Sequence, residues 1–180
     1  MYKKIIIGTS LLLLLLGCNQ KSKKVECAYA SKESHAITTQ GVCAELQGED
    51  TLLLYPEHFK KLDFEHGNPL TIYVTGEQEP KVFYVSTDGK IAHMLYFDNG
   101  ADYFEEGLAR TVAKNKIGFI DSNLTLIIPA QYDFAFPFKD GKARVCNGCA
   151  PEETDDEHQS IVGGKWGLID KHGVLIEPMK

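Results

Sequence analysis

One cassette recurs in this chain and limits the fold more than any other feature. Its cleanest copy is Gly164-Lys165-Trp166-Gly167-Leu168-Ile169-Asp170-Lys171-His172-Gly173-Val174-Leu175-Ile176-Glu177-Pro178. A second is Lys116-Ile117-Gly118-Phe119-Ile120-Asp121-Ser122-Asn123-Leu124-Thr125-Leu126-Ile127-Ile128-Pro129. A worn one is Lys81-Val82-Phe83-Tyr84-Val85-Ser86-Thr87-Asp88-Gly89-Lys90-Ile91. Each opens with β-branched or aromatic residues that suit a pleated surface. Turn formers follow, Thr87-Asp88-Gly89, Ser122-Asn123 or Lys171-His172-Gly173, and then a second apolar run. Asp-Gly between two such runs signals a tight hairpin, because its turn needs φ > 0. Pro129 and Pro178 are expected where pairing stops, since proline gives no hydrogen to a ladder.

A second element precedes the cassette. Phe64-Glu65-His66-Gly67, Phe104-Glu105-Glu106-Gly107 and Phe138-Lys139-Asp140-Gly141 each lead into an alternating strand: Leu70 to Val74, Leu108 to Val112 and Lys142 to Cys146. Period 2 cannot choose which face of Leu108–Val112 points outward. Three units result, roughly 64–97, 104–133 and 138–180, the third carrying an insert over 147–162. A single unit leaves an apolar face bare, and stacking against a neighbour supplies the core. Thr51 to Tyr55 reads as a strand, and Glu57 to Leu62 as a helical turn or two capping the first unit.

The Phe-x-x-Gly strand, the Lys-Trp-Gly-x-Ile-Asp strand and the Ile-x-Pro exit resemble bacterial WG repeats over about residues 51–180. The motif positions are Phe104, Gly107, Gly118, Asp121, Phe138, Gly141, Trp166, Gly167 and Asp170. Unit two departs from the pattern with Ile117 in place of tryptophan, and unit one with Phe83 in place of glycine. The Cys146–Cys149 motif with its acidic insert is similar to a subgroup of WG-repeat lipoproteins. The resemblance implies an all-β, antiparallel architecture of stacked hairpins and carries over no catalytic residue.

The N-terminus reads as an address. Lys3 and Lys4 precede the apolar run Ile5 to Leu16, which is too short to span a bilayer comfortably and matches a secretion signal. Leu15-Leu16-Gly17-Cys18 resembles the bacterial lipobox, with Leu16 a mild departure. The expectation is a signal peptide at 1–17 and lipidation at Cys18. Several acyl chains together make a stable anchor. Residues 18–25 read as a tether, and 26–50 as a short cysteine-containing segment. Asn19 after the cysteine points to the outer membrane, facing the periplasm.

Without residues 1–17 the chain keeps 17 basic and 25 acidic residues, a net charge of −8. That balance argues against nucleic acid as a partner. Four cysteines remain besides Cys18: Cys27, Cys43, Cys146 and Cys149. An even count in an exported chain favours disulfides. Neighbourhood pairs Cys27 with Cys43 and Cys146 with Cys149, although three connectivities are open.

The Cys146-Asn147-Gly148-Cys149 motif carries the sharpest chemical alternative, thiol–disulfide exchange. Its expected position at a strand end, before Glu152, Glu153, Asp155, Asp156 and Glu157, disfavours an attacking thiolate, because nearby negative charge raises a thiol pKa. A structural bridge across a tight Asn-Gly turn is the preferred reading. Cys146, Cys149 and His158 form half a zinc site as a second alternative. His35, His58, His66, His93 and His172 are scattered through the chain, and no nucleophile elbow or phosphate loop is present. Asp98, Asp121, Asp133 and Asp170 recur at equivalent sites, which points to Asx capping of turns. Tyr96, Phe97, Tyr103, Phe104, Tyr132, Phe134, Phe136 and Phe138 read mainly as core between units. No cofactor is called for. The chain reads as a lipid-anchored envelope module that binds or scaffolds without catalysis. Its partners are the membrane, through the anchor, and a protein or glycan. The alternative is thiol-redox or metal handling at Cys146 and Cys149.

Overall fold

In the computed structural model, residues 22–77, 81–152 and 160–180 are described. Fifteen strands and one short helix follow in order. They are β1 Ser22–Ala30, β2 Ile37–Gln47, β3 Thr51–Leu54, α1 Pro56–Phe59, β4 Leu70–Thr75, β5 Lys81–Val85, β6 Ile91–Met94, β7 Tyr96–Phe97 and β8 Gly100–Ala101. Then come β9 Leu108–Ala113, β10 Lys116–Asp121, β11 Leu126–Tyr132, β12 Phe134–Ala135, β13 Lys142–Glu152, β14 Ser160–Asp170 and β15 Leu175–Glu177. The fold is almost entirely antiparallel β. Nine strands form one sheet in the order β11-β10-β9-β6-β5-β4-β1-β2-β3, four form a second, β12-β13-β14-β15, and β7-β8 is a small ribbon.

The Phe-x-x-Gly element is a tight hairpin in units two and three. Glu106 and Gly107 lie at φ 51° and 89°, Asp140 and Gly141 at 53° and 74°. Two successive left-handed residues make the primed turn whose twist matches its strands. Single bridges close these turns, Glu105 to Leu108 and Lys139 to Lys142. The Glu106 carboxylate also accepts from the Gly141 amide at 3.0 Å, tying one unit's turn to the next. In unit one the same letters fold differently. Phe64–His66 is a 3-10 turn, and Gly67 is extended.

The cassette turns are capped by their aspartates. The Asp121 carboxylate accepts from the Asn123 and Thr125 amides at 2.9 and 2.8 Å, and that of Asp170 from His172 and Val174, both at 2.9 Å. Gly118 has a different reason. A Cβ there would lie 2.4 Å from the Ile128 carbonyl, because β11 bulges against it. Pro129 does not end β11 as expected; it lies inside this edge strand, where the bulge and the sheet edge relieve it of pairing.

Packing repeats with the sequence. Val82 and Tyr84 of unit one face Ala101, Ala109, Ile120 and Leu124 of unit two, with Phe104 against them. Tyr84 and Phe104 stack at 5.5 Å. One unit on, Ile117 and Phe119 face Ala135, Phe138, Ala143, Val145 and Ile169 of unit three. Phe119 and Phe138 meet edge-on at 4.8 Å. Leu108 to Thr111 is therefore buried on both faces, and neither face of that strand is outward. Phe104, Tyr132 and Phe138 sit between units as expected, whereas Tyr96, Phe97, Tyr103 and Phe136 are exposed.

The N-terminal reading needs correction. Residues 22–25 are not tether but the start of β1, and the cysteine-containing segment 26–50 is mostly strand. β1 pairs with both β2 and β4, so β1 to β3 extend the main sheet. Val25, Cys27 and Tyr29 are buried at alternate positions against Ile72, Val74, Phe83 and Val85. That alternation is masked by Lys23 and Lys24 before it and Glu26 within it. Leu62 after α1 is fully buried in the same cluster.

Candidate functional site

Two places in the fold gather side chains that packing alone does not use. The first is the outer face of the four-stranded sheet. Pairing sets Cys146 opposite Trp166, Arg144 opposite Leu168, and Phe134 opposite Cys146. Alternation then gives Phe134, Phe136, Arg144, Trp166 and Leu168 one face, while Ala135, Ala143, Val145 and Ile169 take the other and are fully buried. The aromatic group is contiguous. Trp166 lies 6.2 Å from Phe134 and 6.0 Å from Phe136, and those two rings are 5.0 Å apart. The Arg144 guanidinium lies over the indole at 4.2 Å. The indole N–H donates to the Gly163 carbonyl at 2.9 Å, which fixes the ring.

This face has equivalents. Trp166 and Leu168 hold the positions of Val82 and Tyr84 in unit one and of Ile117 and Phe119 in unit two. Those pairs are buried by the following unit. Among the described residues no following unit covers Trp166. Phe136 is 42% exposed. Two shallow grooves open here, one of about 320 Å³ along Arg144, Trp166, Leu168 and Glu177 and one of about 510 Å³ along Glu105, Glu106 and Phe136 to Lys139.

The second place lies at the other end. The turn between β1 and β2 is held to the segment after α1. The Lys32 amide donates to the Lys61 carbonyl at 2.9 Å, and the Asp63 amide to Ala30 at 3.2 Å. This brings His35 over Asp63. His66 reaches the same carboxylate from the 3-10 turn. Both imidazole Nδ1 atoms lie on Asp63 Oδ2, at 2.7 Å for His35 and 2.8 Å for His66. The hydrogen bonds, from His35 first and His66 after it, hold the Asp63 carboxyl below the usual carboxylate range. Asp63 is 1% exposed, and its Oδ1 is buried without a hydrogen-bond partner.

Cys27 is bonded to Cys43 and Cys146 to Cys149. The second bridge is not in a terminal turn as expected. β13 runs on through it to Glu152, and its arm pairs with β14 as far as Ser160. Asn147 and Gly148 form no chain reversal. Gly148 and Gly164, both left-handed, pass each other inside the arm, and a Cβ on Gly164 would lie 2.4 Å from the Cys149 amide nitrogen. The extended arm accounts for most of the insert. Cys146 is fully buried. With the sulfurs joined, neither cysteine offers the thiolate a metal takes. His158 and Cys18 lie outside the described residues.

A model described as the WG containing repeat matches residues 117–148. No curated protein and no solved structure gives a significant match. The WG-repeat segment runs from Ile117 and Phe119 to Ala143 and Val145, and so contains both sides of the contact between units two and three.

Asp63 escaped sequence reasoning. His35 and His66 stood among five scattered histidines, and only the Asp-x-x-His spacing to His66 was a local signal.

Proposed function

We propose that the chain is a non-catalytic binding module of the cell envelope, held by a lipid on Cys18, whose working surface is the outer face of its last repeat. The observation that carries the binding role is the Phe134, Phe136, Arg144 and Trp166 group, which no following unit covers among the described residues, Trp166 standing where Val82 and Ile117 are buried by the next unit. Contiguous exposed apolar surface of this kind marks an interaction site, and Trp, Tyr and Arg dominate interface energetics. A protein partner presenting a small apolar sheet face, as Ala143, Val145 and Ile169 do within the chain, fits better than a glycan. Redox work is the weaker reading, because Cys146 is buried inside a paired arm with no helix start beside it.

A photoreactive side chain at Phe136 in intact cells should give one discrete adduct, and one at Lys32 should not give it. Trp166→Ala should weaken that adduct by about 30-fold, the size of a strong hot spot. An adduct indifferent to Trp166, or one shared with Lys32, would exclude this face. The anchor has its own check: Cys18→Ala should release the protein from the detergent-extracted fraction to the soluble one. A variant with its signal peptide cleaved that still required detergent would count against lipidation.

A further inference from the structure

We propose that His35, Asp63 and His66 form a binding site for one divalent first-row transition-metal ion, with zinc the representative. The site is separate from the aromatic face and does not depend on it. Its donors are two imidazoles and a carboxylate, whose ligand atoms all lie within 4.8 Å of one another. That donor set suits zinc and its neighbours and is poor for calcium or magnesium, which take six or more oxygens or keep their water.

The geometry is close to what an ion needs. Zinc holds nitrogen and oxygen donors at about 2.0–2.2 Å, which sets tetrahedral ligands roughly 3.3 Å apart. His35 Nδ1 and His66 Nδ1 now lie 2.7 and 2.8 Å from Asp63 Oδ2, bridged by hydrogens. An ion replacing those hydrogens moves each ring out by about half an ångström. Both rings can move, because their side chains are 56% and 63% exposed, whereas the carboxylate beneath is fixed at 1%. The rings stand edge-on, 5.2 Å between centroids, so both can point at one position above the carboxylate. Neutral imidazole binds through Nδ1 by carrying its hydrogen on Nε2 instead. The remaining coordination positions are open to water.

Asp63 itself supplies the independent sign of a ligand. Its Oδ1 is a buried carboxylate oxygen with no donor. Buried polar groups are nearly always partnered, and an exception needs an explanation. A cation on this carboxylate supplies the missing counter-charge. The fold has also reshaped a repeat here. The unit-one copy of Phe-x-x-Gly became a 3-10 turn rather than a primed hairpin, and that change is what lays His66 on Asp63.

The test uses the full-length, detergent-extracted protein, stripped with chelator and equilibrated with zinc, cobalt(II) or calcium. One zinc per chain is expected, cobalt giving visible d–d absorption and calcium not displacing it. His35→Ala and His66→Ala should each weaken zinc binding by at least about tenfold, the lower range for losing even an outer-shell partner. The double variant should lose it altogether. Each single variant leaves the other imidazole on Asp63, whereas the double variant strands a buried carboxylate and should melt lower, so binding is compared well below each variant's own metal-free melting transition. Cys146→Ser and His158→Ala should bind as the parent does. Absence of zinc and cobalt from the parent overturns the proposal, and so does full binding by the His35/His66 double variant.

Discussion

Asp102→Ala should lower unfolding stability by about 3–5 kcal/mol, the cost of breaking a buried ion pair from one side. Asp102 and Arg110 are each 2% exposed. The Arg110 backbone amide and Nε donate to Asp102 Oδ2 at 2.8 and 3.0 Å, and its Nη1 crosses to the Ala135 carbonyl of unit three at 3.0 Å. Removing the carboxylate strands a guanidinium between units. Replacing both partners with apolar residues of similar volume, Asp102→Leu with Arg110→Met, should recover part of the loss, because the pair's attraction is offset by its desolvation while the Arg110 amide and the Ala135 carbonyl still lose their partners. Urea midpoints of the two single variants and the double give the coupling directly. A loss below about 1 kcal/mol in Asp102→Ala, a value typical of exposed pairs, would mean that water reaches this pair. Arg144 holds the matching position in unit three. There Phe136 stands where the carboxylate would be, and the guanidinium lies on Trp166 instead.

Phe138→Ala should cost about 3–5 kcal/mol, the range for truncating a buried aromatic, and the damage should be local. Phe138 is 2% exposed and packs edge-on to Phe119 across the boundary between units two and three. Repeat folds are stabilised by each unit's own energy plus nearest-neighbour contacts. Amides of β13 and β14 should therefore lose hydrogen-exchange protection far more than those of β1 to β5. Those are held by a separate cluster around Cys27, Tyr29, Ile72 and Phe83. Uniform loss of protection would mean that the sheets unfold as one unit and that the repeat is a feature of sequence only.

Sequence alone determined the antiparallel β class and the cassette turns. The reasons are local. Gly89 and Gly173 take the left-handed conformation that a tight turn between two apolar runs needs, and Asp121 and Asp170 cap amides only two and four residues on. Tertiary structure decided what depends on neighbours. Period 2 left the faces of Leu108–Val112 open because the sheet is covered on both sides there. The pairing of β1 and β2 with the main sheet was hidden because Val25, Cys27 and Tyr29 follow or flank Lys23, Lys24 and Glu26, which face water, and because β1 pairs with a strand far along the chain. The continuation of β13 past Cys146 required a partner strand whose left-handed Gly164 lets the backbones pass. The His35, Asp63 and His66 cluster joins residues 28 apart in sequence. No spacing rule reports that meeting; it exists because the β1–β2 turn is hydrogen-bonded to the segment after α1, and chain proximity of that kind is a property of the fold.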